Sequence, residues 1–256
     1  MAAFLCEASL TEGRSRGYRY RQVVRLPVLI AMLRIGTKYQ ISHLREDAVL
    51  QLKEWFPLDL VQFSKTALWP IVRKSEDPAV PVRRESIALV DVLRECNLEV
   101  FLPLVFYQCA QLDVEVIVEG YTDSDGERWK LSRADVTRCI KGQQWLHSRY
   151  SQFLNRKVLE TVPTMCTCHS SSCLFNALEM DDVRKAMVQR LNGYQENIFT
   201  HPKHYLAQHL RGLDAGMCSE CSKKLDAEDE SYREEIWKGL ASHFDVPVIW
   251  PVASNE

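Results

Sequence analysis

The sequence predicts an all-α fold, a bundle of about eight helices whose C-terminal part is stapled by a Cys-rich zinc site. Three observations carry that expectation. Apolar residues recur at helical spacing from Leu26 to Leu240, no segment alternates convincingly as a strand does, and five of the nine cysteines fall into two tight groups.

Taken in order, residues 1–24 hold Arg14, Arg16, Arg19 and Arg21 among Gly13 and Gly17 without sustained periodicity, which predicts a flexible basic arm before a single domain at 25–256. Leu26, Leu29, Ile30 and Leu33 share a helix face, and Gly36 suits the left-handed residue that ends it. Ser42 is a candidate N-cap for a second helix with Leu44, Ala48, Leu52 and Trp55 on one stripe, stopped by Pro57. The two helices should pack as a hairpin. A third helix is expected over 58–68, then an exposed connection marked by Pro70, Pro78 and Pro81. Ile87–Leu93 and Leu98–Ala110 read as buried helices, with Pro103 in the first turn of the second. The short piece Val114–Val118 leads into a turn-rich loop at Tyr121–Gly126.

Ser132 with Asp135 three residues on resembles a capping box with the shorter acid, opening a helix with Val136, Ile140, Leu146, Tyr150, Phe153 and Val158 on one face and ending near Glu160. Leu178–Leu191 reads as helical up to Asn192-Gly193. Leu225, Tyr232, Ile236 and Leu240 continue the spacing after Cys221, and Pro247 and Pro251 close the chain.

Composition limits what such a fold does. The 256 residues suffice for one large domain or two small ones, and 32 Lys+Arg against 34 Asp+Glu leave no field of one sign to draw in nucleic acid or anionic lipid. No uninterrupted apolar run approaches the roughly 20 residues of a bilayer span. An odd cysteine count with Cys6, Cys96, Cys109 and Cys139 scattered argues against a full disulfide framework. With Glu7 interrupting any signal-peptide core, the expected compartment is intracellular, cytoplasm or nucleus.

The chemistry sits in Cys166-Thr-Cys168-His169-Ser-Ser-Ser-Cys173 and Cys218-Ser-Glu-Cys221. Two short Cys pairs at the ends of facing helices supply the four tetrahedral donors that zinc takes, and Cys218-x-x-Cys221 has the preferred knuckle spacing. The expected ligands are Cys168, Cys173, Cys218 and Cys221, with Cys166 or His169 near enough to replace one. Four protein ligands leave no open position, so this zinc would be structural. The competing account is a set of reduced, packed thiols.

Rival chemistries find less. His201, His204 and His209 before the second knuckle suggest a zinc hydrolase, yet neither His-Glu-x-x-His nor the His-x-Glu of zinc deaminases occurs. Gly13-Arg-Ser15-Arg-Gly17 spells a nucleophile elbow with no strand before it. The arginine arm with Tyr18 and Tyr20 has the makings of a nucleic-acid contact, although a solvated arm is the commoner account. Asp123, Asp125 and Gly126 lack the terminal Glu of a calcium loop and read as a turn.

A family resemblance follows from particular stretches. Met32-Leu-Arg-Ile-Gly-Thr-Lys-Tyr39 with Ile41, Leu44-Arg45, Ala48, Leu52 and Phe56-Pro57 resembles the segment after the BTB/POZ core in many fungal, chiefly basidiomycete, BTB-domain proteins. Leu93-Arg-Glu95, Phe101-Leu-Pro103, Val105-Phe-Tyr107-Gln-Cys109, Leu131-Ser132, Asp135, Cys139-Ile140, Gly142, the paired cysteine groups and Trp237, Leu240, Phe244 and Trp250 are similar in order and spacing. The resemblance spans roughly 26–251. It implies that 25–256 holds the last BTB helices plus a BACK-like helical domain, and that the protein is a non-catalytic protein–protein interaction module. Such proteins serve at times as adaptors of cullin-type ubiquitin ligases and dimerise through the BTB domain. Two departures stand out: residues before 26 leave no room for the BTB sheet, which would dimerise or dock a cullin, and Ala241-Ser242 stand where a proline is usual. Partner proteins are expected, with a homodimer if a BTB domain accompanies the chain, and neither membrane nor nucleic acid.

Overall fold

A computed structural model of the chain describes residues 25–67, 83–123, 125–153, 199 and 218–251. The arm, the connection around Pro70, Pro78 and Pro81, the expected 178–191 helix and the stretch from 154 to Glu160 lie outside them. Among the described residues the architecture is eight α-helices, two 3-10 turns and one two-stranded hairpin. The all-α expectation holds, and the hairpin is the exception to it.

Helix α1 (Leu26–Lys38) carries Pro27 in its first turn and buries Leu26, Leu29, Ile30 and Leu33, the face read from the sequence. Gly36 does not end it. That glycine is buried inside the helix, where an added Cβ would meet the Arg45 backbone nitrogen at 2.9 Å, so it permits close approach of α2 (Ser42–Trp55). Helix α1 runs on to Lys38, and the left-handed residue comes four positions after Gly36: Gln40 takes φ 54°, and Ile41 N–H donates to the Gly36 carbonyl at 2.9 Å. This is a Schellman turn built on glutamine. Ser42 is likewise the first helical residue and not the cap; Ile41 holds the cap position, with no side-chain capping bond.

The same Schellman turn recurs at Asn97 and Asp245, with Leu98 N–H donating to the Leu93 carbonyl and Val246 N–H to the Ala241 carbonyl. Helix α3 (Leu60–Ala67) begins where the Asp59 Oδ1 accepts from Gln62 N–H at 2.9 Å. Helix α4 (Ser86–Glu95) is buried almost all round, and α5 (Leu102–Cys109) buries every residue but Gln108, with Pro103 in its first turn as expected. Helix α5 is the central rod, touching α4, α7 (Arg133–Gln152) and α8 (Ser219–His243).

Helix α6 (Val114–Glu119) ends at Gly120, whose φ of 78° and contact with the Trp129 carbonyl exclude a side chain. There β1 (Tyr121–Thr122) pairs antiparallel with β2 (Arg128–Trp129). The loop between them is the expected turn: Asp123 Oδ1 accepts from the backbone of Asp125 and Glu127, and its Oδ2 from the Trp129 indole at 2.8 Å.

Large aromatic side chains fill the core between α3, α5 and α8. Phe63, Tyr107, Phe199 and Trp237 lie with ring centroids 4.9–6.2 Å apart, mostly edge-on or tilted, which suits the quadrupoles of facing rings. Trp250 packs on Trp237 and donates its indole N–H to the Trp237 carbonyl, tying the tail back onto α8.

Candidate functional site

Half of the expected zinc site is described. Cys218 is the N-cap of α8 and its Sγ accepts from the Cys221 backbone N–H at 3.4 Å. Cys218 is partly exposed, while Cys221, one turn on, is fully buried. A sulfur in this place faces the positive end of a helix, which favours the anionic form that zinc takes. The residues therefore fit a metal knuckle. Cys168 and Cys173, with the alternates Cys166 and His169, lie outside the described residues, as do His201, His204 and His209. Among the described residues no three His, Cys, Asp or Glu side chains group to hold a metal ion.

The second polar centre lies at the start of α7. Ser132 caps the helix by accepting from Asp135 N–H at 3.2 Å, as the capping-box spacing predicts. The Asp135 carboxylate does not reach back to the cap backbone as the box would have it. It accepts from the Ser132 hydroxyl at 2.6 Å, from Arg94 of α4 through both guanidinium Nη atoms at 2.8 and 2.7 Å, and from Arg138 at 3.1 Å. Asp135 is fully buried. Burial pushes its carboxyl up, and Arg94, Ser132 and Arg138 reverse that, holding it below the ordinary carboxylate value.

The hub extends at both ends. Arg94 lies over the Phe106 ring, which stacks on Phe244, and Arg138 reaches on to Asp245 in the turn after α8. One turn along α7 from Arg138, Gly142 lets Phe244 in: a Cβ there would sit 2.0 Å from the Phe244 ring. Arg94, Asp135, Gly142, Phe244 and Asp245 thus form one seam joining α4, α7 and the end of α8.

The seam was only partly legible in advance. Asp135 is visible as a capping acid, but its pairing with Arg94 crosses forty-one positions of sequence and has no local signal. Cys109 and Cys139, placed in helices by the pattern, are both fully buried where α5 meets α7, and their thiols hydrogen-bond. Burial first, and that contact second, push the Cys109 thiol well up, so it stays protonated and inert. Cys96 sits at the C-cap of α4, just past the helix.

No family model, curated protein or solved structure matches the chain. No helix among the described residues is long and apolar enough to cross a membrane.

Proposed function

We propose that the chain is a non-catalytic protein–protein interaction module of the kind its sequence resembles in fungal BTB-domain proteins, working inside the cell in cytoplasm or nucleus. In this reading Cys168, Cys173, Cys218 and Cys221 hold one structural Zn2+. The ion contributes folding energy by closing the chain between the two cysteine groups and takes no part in a reaction.

The observation that carries the non-catalytic reading is how the buried acids are used. Asp135 is locked by Arg94 and Arg138, and Asp229 by Arg233 at 2.8 Å, so both buried carboxylates among the described residues are ion-paired. A general base needs a proton acceptor poised near neutral pH and open to substrate, and an acid held by arginines is neither.

Affinity capture of the full chain, with and without a BTB domain fused ahead of Arg25, tests the reading. A partner recovered reproducibly and competed by untagged protein is expected. Hydrolytic turnover that depends on added zinc and tracks the His201, His204 and His209 set would replace this reading with the hydrolase.

A further inference from the structure

Among the described residues only one cysteine meets solvent. Of the five described cysteines, all free, Cys96, Cys109, Cys139 and Cys221 are buried, and Cys218 alone is partly exposed. Cys109 and Cys139 touch one another, but neither has a face on solvent, so an oxidant does not reach them. Cys218 differs because a second thiol stands directly behind it. Its Sγ accepts from the Cys221 backbone N–H at 3.4 Å, and Cys218 packs against the core cluster that contains Cys221. Positions three apart at a helix start put the two Cα atoms about 5 Å from one another, inside the range of about 4.4–6.8 Å that disulfides span. Rotation of the two side chains therefore joins the sulfurs without moving α8.

The two thiols are also unequal in the way that exchange requires. Cys218 meets solvent at the positive end of a 25-residue helix, where a thiolate is favoured, and Cys221 is shielded behind it. Glu220, the acid between them, pairs with Lys223 at 3.3 Å.

We propose that Cys218 and Cys221 form a redox-responsive dithiol, with Cys218 attacking, Cys221 resolving and a low-molecular-weight disulfide as the oxidant. The Cys218 thiolate attacks one sulfur of that disulfide and expels the other as a thiolate, which leaves a mixed disulfide on Cys218. Cys221 gives its proton to the thiolate released first, attacks Cys218 Sγ and expels the second. Two protein thiols are thereby oxidised to one disulfide, and one small disulfide is reduced to two thiols. A disulfide sulfur is no longer a thiolate donor, so the oxidation removes two of four zinc ligands and releases the ion. This release rests on the zinc reading of Cys168, Cys173, Cys218 and Cys221; the exchange does not.

The test treats the full-length protein, as purified and with its zinc content measured, with excess oxidised glutathione. Samples are quenched with acid at intervals, and remaining thiols are alkylated with N-ethylmaleimide. Both cysteines fall in the tryptic peptide Gly212–Lys223. Early samples should carry a glutathione adduct on Cys218 and none on Cys221, and late ones an internal disulfide with no label. Limiting iodoacetamide should label Cys218 at least about tenfold faster than Cys96, Cys109, Cys139 or Cys221. Zinc should pass to a chromophoric chelator in step with the disulfide. Two labelled thiols in the late peptide would overturn the proposal. So would a disulfide from Cys218 to Cys166, Cys168 or Cys173, or equal labelling of Cys218 and the buried cysteines. Stoichiometric zinc with no disulfide would remove the exchange pair and leave the metal reading standing, and a disulfide formed in protein that holds no zinc would do the reverse. Zinc that stays bound after the disulfide forms would take Cys218 and Cys221 out of the ligand set.

Discussion

Helices α7 and α8 begin with the same backbone device and complete it in different ways. Ser132 accepts from the N–H of Asp135 at 3.2 Å, and Cys218 accepts from the N–H of Cys221 at 3.4 Å, in each case an N-cap side chain bonded to the residue three further on. Both third residues are fully buried. At α7 that residue is a carboxylate, and the chain satisfies it internally with Arg94, Arg138 and the Ser132 hydroxyl. At α8 both positions are sulfur, a soft donor pair at knuckle spacing. An oxygen cap closed by arginine is a finished structural joint, and a sulfur cap of this spacing is what one half of the proposed zinc shell would need.

The largest expected effect comes from opening that shell. Apparent zinc-binding energies in structural sites reach on the order of 10 kcal/mol, so chelation, or Cys221→Ser, should unfold the start of α8, at the opposite end of that helix from the Phe244–Asp245 seam, with a loss of helical circular dichroism. The α7 start should be indifferent to chelator. If both regions melt together on chelation, the two caps belong to one cooperative unit and the contrast between them fails.

Asp135→Ala comes next. It leaves Arg94 and Arg138 facing a buried gap and should cost about 3–5 kcal/mol in denaturant unfolding. The sign of its pH dependence follows from the lowered carboxyl. Stability contributed by Asp135 is fully present above the ordinary carboxylate value of about 4 and is lost as pH falls through the lower folded value. The parent should therefore lose stability below about pH 4 more steeply than Asp135→Asn.

Gly142→Ala tests the seam by packing alone. Its new Cβ overlaps the Phe244 ring, so a loss of about 1–3 kcal/mol is expected, with no change in the acid limb. Asp245→Asn should be smallest, below about 0.5 kcal/mol, because the Asp245 side chain is 86% exposed and a solvated ion pair contributes little. Asparagine also tolerates the left-handed backbone that Asp245 adopts. A large effect there would mean that the outer ion pair, and not the buried one, holds the seam.

What the sequence disclosed divides by range. The buried face of α1, Pro103 at the start of α5, the Ser132 cap and the knuckle spacing are local patterns, and each was readable. Helix ends were misread where an unexpected residue took the left-handed position: Gln40 ended α1, although Gly36 was the obvious candidate. The short β1–β2 hairpin was missed because two residues per strand are too few to alternate. Arg94 with Asp135, Cys109 with Cys139, and Phe199 among Phe63, Tyr107 and Trp237 are contacts between distant stretches, which periodicity does not encode. The Cys218-x-x-Cys221 spacing was legible, and the first cysteine group of the expected zinc site lies outside the described residues.

The central claim is a structural zinc held by both cysteine groups, and metal analysis of the purified full-length protein tests it most directly. About one zinc per chain is expected under the four-ligand arrangement, falling to background in Cys218→Ser and in Cys168→Ser, with a lower melting temperature in both. No stoichiometric zinc in the parent, together with an unchanged melting temperature in Cys218→Ser, would contradict it.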